Sequence, residues 1–216
     1  MDNSFGSRLA KSGLLIGTQC FTGHPAIVEI LGHGGWDWVS LDMEHTTTEF
    51  AQIEHMVRAA QCSNIVPLVR VGKNDSLLIS KVLDTGAAGV IVPHISSSSD
   101  LEQAVAATLY PPQGTRGACG ATRAVKYGWQ PWKDYVEQAN QGIAVIPLIE
   151  DQAGLDAFDE LLKVSNVQVY WIGIADLTVS MGLTGADFWH PKLAELARSL
   201  NKRAAACLGH EHAVDV

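Results

Sequence analysis

The stretch from Trp36 to His45, WDWVSLDMEH, decides how the rest of the chain reads. Val39 and Leu41 sit in an apolar run that predicts a buried strand, with Asp42, Glu44 and His45 at its carboxyl end. Ionisable groups set this closely are costly to desolvate unless they are paired or used. In parallel α/β folds, ligands bind at the carboxyl ends of the strands. The stretch therefore predicts the floor of an active site carried by a parallel sheet.

Outward from it, one unit recurs: a short β-branched strand, a polar loop, then an amphipathic helix. Before it come a strand at 14–20 and a helix at 24–31; after it, Thr48 is expected to cap a helix reaching Gln61. A third strand follows at 65–71 with Arg70 near its end, and Asp75 caps a helix that Gly86 terminates. A fourth strand at 89–95 leads to a helix from Ser99 or Asp100 to Leu109. Residues 110–130, rich in Pro and Gly, are too long for a simple connector and suggest a functional loop. Then come a helix at 131–141, a strand at 143–150, a helix at 155–162, and a sixth strand with its loop at 169–178. The pattern predicts a further helix at 191–204 and the start of a seventh strand at 205–209.

Strands apolar on both faces, alternating with helices, specify a parallel sheet, and this many units suit a TIM (β/α)8-type barrel. Such barrels take about 250 residues. The 216-residue chain is therefore expected to be a single barrel domain, 1–216, that lacks the C-terminal strand and helices.

Bulk properties narrow the function classes. A net charge of −8 argues against a broad nucleic-acid footprint or an anionic membrane surface. No apolar run has the length of a membrane span, and the start lacks the apolar core of a secretory signal. Cys20, Cys62, Cys119 and Cys207 are scattered without metal or disulfide spacing, so a reducing, cytoplasmic setting is expected.

Four chemically capable residues fall at strand carboxyl ends: His45, Arg70, Glu150 and Asp176. Glu150 and Asp176 are hard oxygen donors suited to Mg²⁺ or Mn²⁺, and two such ligands leave room for a 2-oxo acid. Arg70 can hold the charge of an enolate, and His45 has the pKa range of a base that takes a hydroxyl proton, directly or through water. Plainer readings stand beside these. Arg70 could neutralise Asp42 or Glu44, Glu150 could favour the dipole of the next helix, and Asp84 could be a surface carboxylate. His94 reads as a structural histidine, Arg116 as a brace for the long loop, and His210 and His212 as inert tail residues.

The motifs DMEH (42–45), PLVRV (67–71), LDTGAAGVIVP (83–93), YPPQGTRG (110–117), LIE (148–150) and GIADLTVSMG (173–182) together resemble the HpcH/HpaI aldolase family. These are class II, metal-dependent pyruvate aldolases, and the resemblance runs collinearly over roughly residues 10–205. It implies a (β/α)8 barrel, a hexamer of dimers, and cleavage of 4-hydroxy-2-oxo acids to pyruvate and an aldehyde. By the same resemblance His45 is the base, Arg70 holds the pyruvyl group, and Glu150 with Asp176 binds Mg²⁺, Mn²⁺ or Co²⁺. Asp84 would pair with the catalytic histidine across a subunit boundary, Asp42 and Glu44 would orient water or His45, and backbone amides around Gly173, Ala175 and Asp176 would hold the substrate carboxylate. Leu148 and Ile174 depart from the Gln and Pro that many members carry there. The alternatives are oxaloacetate decarboxylation with enolate capture, as in macrophomate synthase-like relatives, and a non-catalytic truncated paralogue.

Overall fold

Six short parallel strands carry the architecture of the computed structural model, which describes residues 4–12, 14–167, 169–182, 195–196 and 198–200. They are β1 (Gly17–Cys20), β2 (Trp38–Asp42), β3 (Val66–Arg70), β4 (Gly89–Val92), β5 (Ala144–Ile149) and β6 (Trp171–Ile172). Each pairs with the next in chain order, giving the curled partial barrel of a TIM-type fold. The helix expected at 191–204 is described only at residues 195–196 and 198–200, all helical; 205–209, His210 and His212 lie outside the described residues.

Crossover connections put helices between successive parallel strands. These are α2 (Pro25–His33), α3 (Phe50–Cys62), α4 (Ser76–Asp84), α5 (Ser98–Thr108) and the short pair α7 (Gln152–Asp156) and α8 (Phe158–Leu161). The caps follow side-chain chemistry. Asp75 accepts from the amides of Leu77 and Leu78, and Ser97 accepts from the Asp100 amide. Gly86 follows α4 at φ +87°, a left-handed position that glycine takes without strain. The cap of α3 is Glu49 rather than Thr48: the Gln52 side chain accepts the Glu49 N–H, while Thr48 accepts the Thr46 hydroxyl.

Period-two alternation divides the strands between two cores. Val39, Leu41, Val69, Val90, Val92, Val145 and Ile149 pack with the helix residues Ile53, Met56, Val57, Ile79, Val82 and Leu101. The alternate residues Val66, Leu68, Ile91, Ala144, Ile146 and Leu148 therefore face the barrel interior, with Trp38 and Trp171 against them. Phe5 joins this inner cluster from α1 (Phe5–Ser12), a helix the sequence patterns did not predict. Arg8 fastens α1 through the Asn64 carbonyl and side chain.

The loop at 110–130 does contain structure. It holds a 3-10 helix at Arg123–Gly128 and leads into α6 (Trp132–Gly142). Arg116 braces it, as expected: the guanidinium donates to Asp84 at 2.9 Å and lies 4.6 Å from the Tyr110 ring centroid. The sixth unit differs from expectation. Only Trp171–Ile172 is strand, and Ile174–Ser180 forms helix α9, so Asp176 stands on a first helical turn rather than in a loop.

Candidate active site

The inner-face series on β2, β3 and β5 end, at the carboxyl pole, in Asp42, Arg70 and Glu150. Asp42 and Arg70 are register partners, and Arg70 Nε donates to Asp42 Oδ1 at 2.7 Å. The chain turns at once after β2, because the Asp42 carboxylate also accepts the amides of Glu44 and His45, each at 3.1 Å. That turn brings Glu44 back over Arg70, whose Nη1 lies 3.2 Å from Glu44 Oε2. The contact is ionic but misaligned, and this buried oxygen has no hydrogen-bond partner among the described residues.

Charge is tightly managed here. Burial pushes the Asp42 carboxyl up, but the Arg70 hydrogen bond and the two amides outweigh it and hold it below the usual aspartate range. Glu150 goes the other way. Burial dominates, and the nearby charges of Glu44 and Asp176 raise it further; the His94 amide and ring only partly offset this.

His94 is the residue the sequence reading undervalued. It follows β4 at φ +55°, and its amide donates to Glu150 Oε1 at 2.7 Å. Its ring bridges two carboxylates: Nδ1 lies 2.9 Å from Glu150 Oε1 and Nε2 lies 3.4 Å from Glu44 Oε1. Glu44, His94 and Glu150 thus offer donor atoms within 4.8 Å of one another, the metal-type cluster found among the described residues. A position at the end of β4 was the available signal, since the same rule selected His45 and Glu150.

The other expected residues distribute as follows. His45 sits beside the cluster, its ring exposed and Nε2 3.7 Å from Glu44 Oε2. Asp176 is exposed at the start of α9, outside the tight cluster yet near enough to act on Glu150. Gly173 passes against Glu150, where an added Cβ would stand 2.8 Å from the Glu150 Cβ. Its amide bonds the Ile149 carbonyl at 2.8 Å, and the helical ladder begins only with Leu177 N–H to Gly173 O. The Ala175 and Asp176 amides therefore precede that ladder, whereas the Gly173 amide is taken. Asp84 stands apart, at the end of α4, paired with Arg116.

The arrangement has the donor chemistry of a divalent-cation site. Glu44 and Glu150 offer carboxylate oxygens, one of them buried and without a hydrogen bond among the described residues, and Asp176 adds negative charge alongside. A guanidinium and an imidazole border it. A partial TIM-type barrel with carboxylates, a guanidinium and histidines at its carboxyl pole has the layout of a site for a small polar ligand.

The comparisons carry this further. A sequence model of the HpcH/HpaI aldolase/citrate lyase family matches residues 20–211. A 2-dehydro-3,6-dideoxy-6-sulfogluconate aldolase of Pseudomonas putida is 36% identical over 82% of this chain and 69% of its own length. A 5-keto-4-deoxy-D-glucarate aldolase of Shigella boydii is 32% identical over 94% of this chain and 78% of its own. Among solved structures, a HpcH/HpaI aldolase/citrate lyase family protein from Burkholderia cenocepacia superposes with a TM-score of 0.86 at 32% identity, covering 96% of this chain and 82% of that one. The chain belongs to the HpcH/HpaI aldolase/citrate lyase family and is a carbon–carbon lyase. No helix among the described residues is long and apolar enough to cross a membrane.

Proposed function

We propose that the chain cleaves a 4-hydroxy-2-oxo acid of the keto-deoxy sugar acid type to pyruvate and an aldehyde, using a divalent cation. The observation that carries this is the meeting of Arg70, Glu44, Glu150, His94 and His45 at one pole of the barrel. Two aldolase relatives whose names specify keto-deoxy or dehydro-dideoxy sugar acids support the substrate class.

Glu150 and Asp176 would hold the cation, with Glu44 beside them; bound there, it supplies Lewis-acid polarisation of the substrate's keto oxygen. The chain's own residues do the rest. His45, exposed at the rim, accepts the C4 hydroxyl proton. The C3–C4 bond then breaks, the aldehyde leaves, and the electron pair passes into the C2–C3 enolate of pyruvate. Arg70 is held at Nε by Asp42 and faces Glu44 through Nη1, and its guanidinium would donate to the enolate oxygen. The amides of Ala175 and Asp176 receive the substrate carboxylate. Proton return to C3 completes pyruvate. Asp84, paired with Arg116 in its own chain yet partly exposed, would reach the His45 of a second copy in a homo-oligomer.

Pyruvate release from a 2-keto-3-deoxy sugar acid tests the reading. Activity is expected to disappear in EDTA and to return with Mg²⁺, Mn²⁺ or Co²⁺. Turnover that survives complete chelation overturns the cation's role.

A further inference from the structure

We infer that His94 is a ligand of the divalent cation, which makes this a mixed nitrogen–oxygen centre selecting borderline metals such as Co²⁺ over Mg²⁺. The inference rests on the proposed cation site and adds a donor to it.

Three observations carry it. The first is spacing. His94 Nδ1 lies 2.9 Å from Glu150 Oε1, while Nε2, on the other side of the ring, lies 3.4 Å from Glu44 Oε1 and steadies the ring over the pair; one ring nitrogen with one oxygen from each of Glu44 and Glu150 falls within 4.8 Å. Donors sharing one ion at roughly 2.0–2.3 Å fall about 3 Å apart when adjacent in its coordination sphere. Second, the backbone is held in a costly conformation to put the ring there. His94 is a non-glycine residue at φ +55°, and its amide is tied to Glu150 Oε1 at 2.7 Å. Left-handed backbone at a non-glycine residue persists where surrounding contacts fix it, and such residues cluster at functional sites. Third, the ring has no packing role: its side chain is 65% exposed, while Glu44 and Glu150 beneath it are 7% and 3% exposed. The ring lies across the open mouth of two buried carboxylates.

The consequence is metal preference. Carboxylates and water serve Mg²⁺ and Mn²⁺ well, and Mg²⁺ gains little from an imidazole. Later first-row ions gain more from nitrogen, in the order that places Co²⁺ above Mn²⁺. Removing the imidazole should therefore weaken Co²⁺ binding selectively.

The test is calorimetric titration of the metal-free protein with Co²⁺ and with Mg²⁺, for the unmutated chain and His94→Ala. Expected is a loss of at least ~10-fold in Co²⁺ affinity with less than ~3-fold change for Mg²⁺. Equal loss for both ions, or unchanged Co²⁺ affinity, overturns the assignment. Should His94→Ala fail to fold, pulsed EPR of the Mn²⁺-loaded unmutated protein reads the same point through coupling to an imidazole nitrogen. That coupling should persist in His45→Ala; its absence from the unmutated protein, or its loss in His45→Ala, overturns the inference. If the unmutated chain binds no divalent cation, the proposed function falls as well. A cation bound without nitrogen coupling removes only His94.

Discussion

Asp42 and Arg70 are cross-strand partners whose side chains meet inside the barrel, with Arg70 Nε 2.7 Å from Asp42 Oδ1. The pair is buried and also carries Glu44, so one guanidinium orders the floor of the site. Arg70→Lys keeps the charge but loses the planar fork that spans both carboxylates. It should lower kcat/KM for aldol cleavage by about 10²–10³-fold, the loss of a positioned oxyanion donor. Arg70→Met leaves Asp42 without its counter-charge. Denaturant unfolding should then show a loss of about 3 kcal/mol, the low end for a broken buried pair because the Glu44 and His45 amides still bond Asp42.

His45 should behave in the opposite way. Its ring is exposed, with Nε2 3.7 Å from Glu44 Oε2, so little packing among the described residues depends on it. His45→Ala is expected to cost at least ~10²-fold in cleavage, the contribution of a positioned base. Its melting temperature should stay within about 2 °C of the parent. Full activity in this variant would remove His45 from the reaction.

Gly173 is set by crowding rather than by backbone angle. An added Cβ at this position stands 2.8 Å from the Glu150 Cβ and 3.3 Å from its Oε2. Gly173→Ala must push Glu150 or α9 aside. A stability loss of about 1–3 kcal/mol is expected, as for overpacking, together with weaker Mg²⁺ or Co²⁺ binding by titration. A variant with parental metal affinity would show that Glu150 is not held in place by this contact.

Much of this was legible in the chain. Alternation along VPLVR and AVIPLIE assigns Arg70 and Glu150 to the inner face, and the end of WVSLD assigns Asp42. The helix caps at Asp75 and Ser97 use side-chain chemistry that propensity rules capture, although the helix after Ser97 begins one residue before the expected Ser99. Other features depend on contacts distant in sequence. His94 meets Glu150 across 56 residues, and histidine's mild preference for left-handed backbone is too weak a signal to place it there. α1 is eight residues long, too short for its period to stand out, and earns its place through Phe5 at the barrel's inner core. The run at 169–178 reads as a strand and its loop, yet after Gly173 turns against Glu150 the chain coils into α9, where the Thr178 hydroxyl bonds the Ile174 carbonyl.

Asp75 offers a pH-dependent test of the scaffold, at the N-terminus of α4 rather than within the Glu44–His94–Glu150 cluster. Its carboxylate lies below the ordinary aspartate value, chiefly because the Leu78 amide donates to it, with Lys73 and the Leu77 amide adding to the effect. A depressed folded pKa favours the folded state above the unfolded value, about 3.9 for aspartate, and that contribution is lost as pH falls through the folded pKa. Asp75→Ala should therefore melt lower than the parent at pH 7, with the gap narrowing between roughly pH 5 and pH 3 as the parent's cap is protonated. Asp75→Asn keeps an oxygen that can accept the Leu77 and Leu78 amides but carries no charge. Its melting temperature should stay near the parent's at pH 7 and lose the Asp75-dependent part of the acid response. Thermal melts of the three proteins across that range check the claim, and a gap for Asp75→Ala that widens toward pH 3 would reverse its sign.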